Sequence, residues 1–238
     1  MIAQCDLRLA RRPHGTVTQL GREGEPLLVF DGVMEHPQAL VELAVERARF
    51  SEDGAGHRLY PGLGAPAPAE YVNALAGALD RPLRRVFGLD GLRQIGATSR
   101  LSLVTKRPED LEPLQCVPHI DTTDALQFAL LHYLCGESFG GTGFFRHRET
   151  GFETITADRA GRFAEVRGRE MAGAGSAGGY ISGDTLHYEK TGQVDVKFDR
   201  LVVYRSCLLH SGMIPHPQAL SADPRLGRLT ANIFVTYG

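Results

Sequence analysis

The segment 126–135 (LQFALLHYLC) restricts the fold most, because its residues are almost continuously apolar over the length of a single strand. Such a pattern favours a strand that is buried on both faces, with other structure packed against each side. Shorter apolar or alternating stretches close to turn residues predict further strands, at 27–30, 93–105 (a strand or a hairpin), 142–148, 193–198, 201–209 and 228–237. Most of the predicted strands therefore lie after residue 92.

The first third of the chain has a different pattern. Apolar residues recur at helical spacing within 37–50, which predicts a helix. A second helix is predicted at 69–86, interrupted near Pro82 because proline cannot donate the helical hydrogen bond. The segment between them, 51–68, is rich in glycine and proline and is predicted to be a loop.

Two segments of the second half are not predicted to be strands. The polar stretch 152–171 is predicted to be helical, and 172–179, rich in Gly, Ala and Ser, is predicted to be a mobile loop that could cover a site. Its glycines match GxGxxG, but no strand precedes them and no helix follows, so dinucleotide binding is not inferred.

Helices first and strands afterwards indicate an α+β fold. We predict one domain over 1–238, since domains of this length are common. Within it, a helical part (1–90) is expected to pack on a double-stranded β-helix core of the jelly-roll or cupin-like kind (91–238). His132, inside the apolar strand, is expected to be a core histidine with satisfied ring nitrogens.

Charge and composition exclude several classes of partner. The net charge is -2, which gives no basic surface for nucleic acid or an anionic membrane. No apolar run approaches the roughly 18–20 residues that span a bilayer, and the N-terminus lacks the apolar core of a secretion signal. The four cysteines form no CxxC pair, which is typical of thiols in a reducing compartment. We therefore expect a cytoplasmic protein that binds a small-molecule or peptidyl substrate.

The pair His119 and Asp121 is a candidate for metal binding that is weak by itself and gains weight from residues far downstream. Residues two apart in an extended chain point the same way, so an imidazole and a carboxylate can bind one ion from a single segment. A distant histidine would complete a 2-His-1-carboxylate triad, which favours iron(II) and leaves coordination positions open. His210 is the candidate, at the end of a predicted apolar strand, and His216 is the alternative. The competing interpretation of the pair is a structural His–Asp hydrogen bond.

Arg228 and Thr230 open the last predicted strand and would share one of its faces. A guanidinium fork binds a carboxylate through two hydrogen bonds, so the pair suits the far carboxylate of a dicarboxylic co-substrate. Arg225 is an alternative anchor, and threonine is also simply a good strand residue. Three further polar residues could reach such a pocket but are expected to be structural: Arg100, Gln115 and Tyr133.

The order HxD, His, RxT resembles that of the iron(II)/2-oxoglutarate-dependent oxygenase superfamily. The segments 140–151 (GGTGFFRHRETG), 198–212 (FDRLVVYRSCLLHSG) and 228–234 (RLTANIF) are similar to an uncharacterised bacterial family within it, and the resemblance covers about residues 90–238. Arg228 follows His210 by 18 residues, a longer interval than the superfamily usually has.

The resemblance implies an Fe(II)- and 2-oxoglutarate-dependent dioxygenase that hydroxylates an unactivated C–H bond and releases succinate and CO2. It implies His119, Asp121 and His210 as metal ligands, and Arg228 and Thr230 as the co-substrate anchor. Two alternatives stay open at this point: a cupin-like metalloenzyme that does not use 2-oxoglutarate, and a non-catalytic jelly-roll binding module. The sequence indicates neither the substrate, nor the oxidative outcome, nor the oligomeric state.

Overall fold

The computed structural model describes residues 6–52, 60–173 and 178–238. These parts contain three α-helices: α1 (Gln38–Arg47), α2 (Ala69–Phe87) and α3 (Ala157–Gly173). They also contain ten strands: β1 (His14–Leu20), β2 (Glu25–Asp31), β3 (Gly62–Ala65), β4 (Gln94–Val104), β5 (Gln127–Tyr133), β6 (Thr142–His147), β7 (Tyr188–Val194), β8 (Arg200–Arg205), β9 (His210–Gly212) and β10 (Arg228–Tyr237). The fold is thus mixed, with helices and mostly antiparallel sheet. Within the described ranges, no helix is long and apolar enough to cross a membrane.

The strands form two sheets. The larger has the order β1-β2-β8-β5-β10-β4-β3 and the smaller the order β7-β6-β9, with antiparallel pairs throughout. An isolated antiparallel bridge between His119 and His210 adds one more segment at the β9 edge of the smaller sheet. This bridge brings two parts of the sequence that are far apart together at one edge of the smaller sheet.

Three apolar clusters hold these layers together. The largest lies between the larger sheet and helices α1 and α2, and a second lies between the two sheets. The third joins the smaller sheet to α3 through residues such as Phe145 and Phe163. Strand β5 contributes to the first two clusters, with Leu130 on one face and Leu131 on the other, as a strand buried on both faces must.

The N-terminal part is more than the two predicted helices. The strand predicted at 27–30 is present within β2, but β1 and β3 were not predicted, and β3 lies inside the predicted loop 51–68, of which 53–59 fall outside the described residues. Nearly all residues of β1 are exposed, so its sequence lacks the apolar alternation from which a strand is predicted. The strand is stabilised by its pairing with β2. The larger sheet is therefore extended at both edges by the N-terminal part.

The interruption predicted near Pro82 is wrong. Helix α2 runs through the proline and ends at Gly88, whose φ of 65° is the left-handed conformation that glycine adopts at low cost. Buried residues continue along one face on both sides of the proline, from Tyr71 and Leu75 to Leu83 and Phe87. Their burial against the sheet offsets the one hydrogen bond that the proline removes.

The strand boundaries after residue 187 also differ from the prediction. The strand predicted at 193–198 is wrong for most of its length, because β7 begins at Tyr188 and ends at Val194 and no strand covers 195–198. The strand predicted at 201–209 ends at Arg205, after which the chain turns and crosses to the other sheet. His210 therefore begins β9 rather than ending β8. Half of the loop predicted at 172–179, residues 174–177, lies outside the described residues, and its first two residues belong to α3. The helix predicted at 152–171 is present as α3, which begins at Ala157.

Asp199 is the centre of a buried hydrogen-bond network that connects strand β5, helix α2 and the segment after β2. Its Oδ1 lies 3.0 Å from His132 Nε2, and the other ring nitrogen of His132 lies 2.6 Å from the hydroxyl of Tyr71 in α2. The same carboxylate accepts the backbone N–H of Met34. Both ring nitrogens of His132 are thus satisfied, as expected. Asp199 adopts φ 62°, which is strained for a residue with a side chain.

We expect Asp199→Ala to lower the free energy of unfolding by about 2–4 kcal/mol, because it leaves a buried histidine and a buried N–H without their acceptor. Chemical denaturation measures this change. Asp199→Gly loses the same hydrogen bonds but relieves the strain at φ 62° and should be less damaging. The exposed Asp195 provides the control, with a change within about 0.5 kcal/mol for Asp195→Ala. Equal stability of Asp199→Ala and the wild type would refute this account of the network.

Candidate functional site

Two reciprocal backbone hydrogen bonds place His119 beside His210. Each residue donates its N–H to the other's carbonyl oxygen at 2.9 Å, and the imidazole rings lie 4.5 Å apart between centroids. Asp121 is fixed by its own N–H, which donates to the carbonyl oxygen of Ser206 at 2.9 Å, in the turn after β8. The pair that is two residues apart in sequence thus meets its distant partner at the edge of the smaller sheet.

The three side chains form a compact donor set. One ligand atom from each of His119, Asp121 and His210 lies within 4.8 Å of the other two, and no other such group of three or more occurs among the described residues. The Nε2 of His210 and the Oδ2 of Asp121 are 3.8 Å apart, which is too long for a hydrogen bond. Two imidazoles and one carboxylate on one side of an ion are the donors that suit iron(II) with coordination positions left open.

The environment of His210 selects the ligating nitrogen. Its Nδ1 lies 2.8 Å from the carbonyl oxygen of Leu208, and a carbonyl can only accept, so Nδ1 carries the proton. The lone pair of the neutral ring is then on Nε2, the atom that faces Asp121. A backbone acceptor behind a histidine is a common arrangement around protein metal ions, because it fixes the tautomer and the ring orientation. His216, the alternative ligand, is exposed and does not belong to the donor set.

Arg228 is buried at the start of β10, with 5% of its surface exposed. Its Nε donates to the carbonyl oxygen of Phe139 at 3.3 Å and its Nη2 to that of Gly141 at 3.0 Å, while the guanidinium lies over the ring of Tyr133. These contacts hold the fork in one orientation and use only two of its five N–H groups. The remaining N–H groups are sufficient for a two-point contact with a carboxylate.

Glycines allow backbone segments to pack closely against one another around Arg228. A Cβ on Gly141 would lie 1.8 Å from the carbonyl oxygen of Val194, and one on Gly140 would lie 1.9 Å from that of Met213, so no larger residue fits without rearrangement. On the other side, a Cβ on Gly212 would lie 3.7 Å from the Arg228 guanidinium. A side chain there would contact the fork, and the glycine leaves that space open.

The five predicted site residues line one cavity of about 370 Å³, which lies between the sheets. They are His119, Asp121, His210, Arg228 and Thr230. Arg225 is on the surface instead, paired with Glu42 of α1. The structure therefore brings Arg228 and Thr230 to the same space as the donor set and leaves Arg225 outside it.

Other lining residues were set aside or missed from the sequence. Arg100 and Gln115, expected to be structural, line the cavity, whereas Tyr133 packs beneath Arg228 and its hydroxyl lies 2.6 Å from the Thr142 hydroxyl. Tyr60 and Tyr204 also line the cavity. The sequence places Arg100 in a predicted strand. Whether its side chain reaches the cavity depends on how that strand pairs with its neighbour, which the sequence does not reveal.

The lining tyrosines stay neutral. Burial raises the pKa of Tyr204 well above its usual range, and the negative charge of Asp121 acts in the same direction. The Tyr204 ring lies 4.9 Å from that of His210. Burial also raises the pKa of Tyr60, although the positive charge of Arg228 opposes this shift. Neither phenol therefore carries a negative charge at neutral pH. Among the described residues that line the cavity, the negatively charged side chain is that of Asp121.

The sequence matches the model of a family of unknown function, DUF6445, over residues 11–235. The match covers nearly the whole chain, and the protein belongs to this family. A search of curated proteins finds no match.

Several solved structures resemble the chain at low sequence identity. The non-heme alpha-ketoglutarate-dependent epimerase SnoN from nogalamycin biosynthesis is 12% identical with a TM-score of 0.46, over 89% of this chain and 78% of that one. HygX from Streptomyces hygroscopicus, with nickel, 2-oxoglutarate and hygromycin B bound, is 13% identical with a TM-score of 0.44, over 88% and 82%. An N-substituted L-amino acid dioxygenase from Burkholderia ambifaria AMMD is 15% identical with a TM-score of 0.38, over 95% of both chains. At these identities and TM-scores the similarity assigns no activity to this protein.

Proposed function

We propose that this member of the DUF6445 family is an Fe(II)- and 2-oxoglutarate-dependent oxygenase. The observation that carries the proposal is the presence, in one cavity, of a 2-His-1-carboxylate donor set and a buried arginine fork. The donor set alone would suit several metalloenzymes. The fork adds a place for a carboxylate, which a dicarboxylic co-substrate needs and a metal ion does not.

The fold that accompanies this proposal is a double-stranded β-helix. From β4 onwards the chain alternates between the two sheets: β4, β5, β8 and β10 belong to the larger one, and the segment at His119, β6, β7 and β9 belong to the smaller one. Two short sheets joined in this way enclose a space between them, and the site residues face that space. The N-terminal helices pack on the outer face of the larger sheet.

Each residue has a defined task in this proposal. His119, Asp121 and His210 would hold iron(II), which with 2-oxoglutarate and dioxygen would supply oxidation of an unactivated C–H bond, with release of succinate and CO2. Arg228 would bind the distal carboxylate of the co-substrate, and Thr230 would add a hydroxyl on the same face of β10. Both residues are almost fully buried, so water competes little for this contact.

The buried fork weighs against a metalloenzyme that ignores 2-oxoglutarate, because such an enzyme has no need for a buried guanidinium that keeps N–H groups available in the cavity of the donor set. The position of His210 weighs against a binding module in which His119 and Asp121 form only a structural pair. Such a pair needs no third ligand atom, and that of His210 lies within 4.8 Å of both.

We expect the purified protein to convert 2-oxoglutarate slowly to succinate when Fe(II), ascorbate and oxygen are present, even without its substrate. The reaction should require Fe(II) and should be lost in His210→Ala, because that change removes one of three ligands. His216→Ala is the matched control, since this histidine is exposed and six residues away, and it should keep the wild-type rate. Equal rates in the two variants would contradict the assignment of His210. Succinate is quantified by liquid chromatography and mass spectrometry.

A further inference from the structure

Tyr204 of β8 is a buried tyrosine whose hydroxyl has no hydrogen-bond partner in the described part of the chain. Only 3% of the residue is exposed, and no described residue donates to its hydroxyl oxygen or accepts its O–H. The hydroxyls of Tyr60 and Tyr188 are closed off from solvent, whereas that of Tyr204 is reachable from the cavity that the residue lines. A phenylalanine would fill the same space without burying a polar group, so the hydroxyl is best explained by a ligand.

Two contacts place Tyr204 beside the donor set. Its ring centroid lies 4.9 Å from that of His210. Ser206, two residues further along the chain, accepts the backbone N–H of Asp121 at 2.9 Å. The hydroxyl is attached directly to a ring that contacts one metal ligand and is anchored close to a second. It therefore lies near the position of the ion that the donor set would hold.

The floor of the cavity leaves room beside this ring. Ala129 of β5 is directly opposite Tyr204 on one side and Phe234 of β10 on the other, and all three residues line the cavity. Residues directly opposite in antiparallel pairs project to the same face of the sheet. A small side chain therefore separates two aromatic ones, and a ligand that lies above the alanine can approach the tyrosine from the side.

Tyr204 also lies within electrostatic range of both ends of the proposed co-substrate site. Burial raises the pKa of Tyr204 most, the negative charge of Asp121 raises it further, and the positive charge of Arg228 opposes both. Asp121 belongs to the end that would bind the metal, and Arg228 to the end that would bind the distal carboxylate. The contact between the Tyr204 and His210 rings places the tyrosine at the metal end.

Given the proposed function, on which this inference rests, we propose that the Tyr204 hydroxyl donates a hydrogen bond to the 1-carboxylate of 2-oxoglutarate. This carboxylate adjoins the 2-oxo group and belongs to the end of the molecule that binds the metal. Hydrogen bonds from a neutral O–H to a carboxylate are short and strong. Tyr204 would thus recognise the 2-oxo acid group, whereas Arg228 recognises the distal carboxylate.

Tyr204→Phe separates ligand binding from a structural role, because it removes the hydroxyl and keeps the ring. Without metal or ligand, its midpoint of chemical denaturation should be no lower than that of the wild type, since no protein hydrogen bond is lost. Tyr71→Phe is the matched control, because the Tyr71 hydroxyl lies 2.6 Å from His132 Nδ1 in the core. It should lower the midpoint and leave ligand binding unchanged. A loss of stability in Tyr204→Phe as large as that in Tyr71→Phe would overturn the proposal.

Calorimetric titration of the Co²⁺-loaded protein with two ligands measures the proposed contact. 2-Oxobutyrate shares the 2-oxo acid group of 2-oxoglutarate and lacks the distal carboxylate. Tyr204→Phe should raise the Kd of both ligands by the same factor, about tenfold or more, because a hydrogen bond to a charged group is lost. An unchanged Kd for 2-oxoglutarate, or a rise that is confined to 2-oxoglutarate, would overturn the proposal.

The response to metal alone completes the test. Co²⁺ should raise the melting temperature of Tyr204→Phe as much as that of the wild type, because the phenol is not a ligand of the ion in this proposal. A smaller rise in the variant would make Tyr204 a metal ligand and would overturn the proposal. A wild-type protein that binds Co²⁺ but not 2-oxoglutarate would overturn the proposed function instead.

Discussion

Replacing Asp121 by alanine is expected to weaken the binding of divalent metal by more than about 100-fold, because even the loss of a group that only supports a ligand costs about 10–100-fold. Asp121 is the only carboxylate of the donor set in the described part of the chain. Without it, two neutral imidazoles remain, and their attraction for a doubly charged ion is much weaker. Turnover of 2-oxoglutarate should be abolished.

The change in metal binding can be measured without any substrate. Ni²⁺ or Co²⁺ should raise the melting temperature of the wild-type protein, since an ion that binds only the folded state stabilises it. The same addition should leave Asp121→Ala unaffected, although the metal-free variant should melt close to the metal-free wild type. Asp110→Ala, in which an exposed aspartate is removed, should respond to metal as the wild type does. An equal metal-induced shift in Asp121→Ala would show that the ion binds elsewhere.

The second large effect is expected at Arg228. Arg228→Lys keeps one positive charge but loses the planar fork, and Arg228→Met loses both. We expect the Kd for 2-oxoglutarate to rise by about 30-fold or more in Arg228→Met, the cost of removing one partner from a buried charged pair, with an intermediate rise in Arg228→Lys. Both values come from calorimetric titration of the metal-loaded protein under anaerobic conditions.

A comparison of two ligands isolates the contact with the distal carboxylate. 2-Oxobutyrate keeps the 2-oxo acid group and lacks the second carboxylate, so it should bind the wild type much more weakly than 2-oxoglutarate does. In Arg228→Met this difference should largely vanish, even if the variant is less stable because the carbonyls of Phe139 and Gly141 lose their donor. Arg225→Ala breaks only a surface ion pair with Glu42 and should discriminate as the wild type does. Full discrimination in Arg228→Met would contradict the assigned role.

The parts of the site that follow a short period could be predicted from the sequence. His119 and Asp121 are two residues apart, as are Arg228 and Thr230, and a period of two fixes the side chains of each pair on one face of an extended segment. Strand β5 was found almost residue for residue because a strand buried by layers on both sides is nearly all apolar. Strand β10 was found with the same bounds although polar residues interrupt its apolar ones.

The parts that depend on contacts between distant segments could not be predicted. The segment 201–209 is apolar over most of its length, which predicts one strand. In the structure strand β8 ends at Arg205, and His210 lies in β9 of the other sheet. The proton on Nδ1 of His210 depends on the position of one carbonyl oxygen, that of Leu208. The placement of Arg100 at the cavity depends on its register with Asn232. Strand register and sheet assignment of this kind arise from tertiary packing, which a single sequence does not record.

The most direct test of the central claim is an anaerobic titration of the protein with Fe(II) followed by 2-oxoglutarate, monitored by visible absorption. If His119, Asp121 and His210 hold the iron and Arg228 holds the far carboxylate, a weak absorption band typical of an iron-chelated 2-oxo acid should appear at one equivalent of each. The band should be absent in Asp121→Ala, and in Arg228→Met it should require far more 2-oxoglutarate. A protein that binds Fe(II) but gives no band at saturating 2-oxoglutarate would contradict the proposed function and favour a metalloenzyme with another co-substrate.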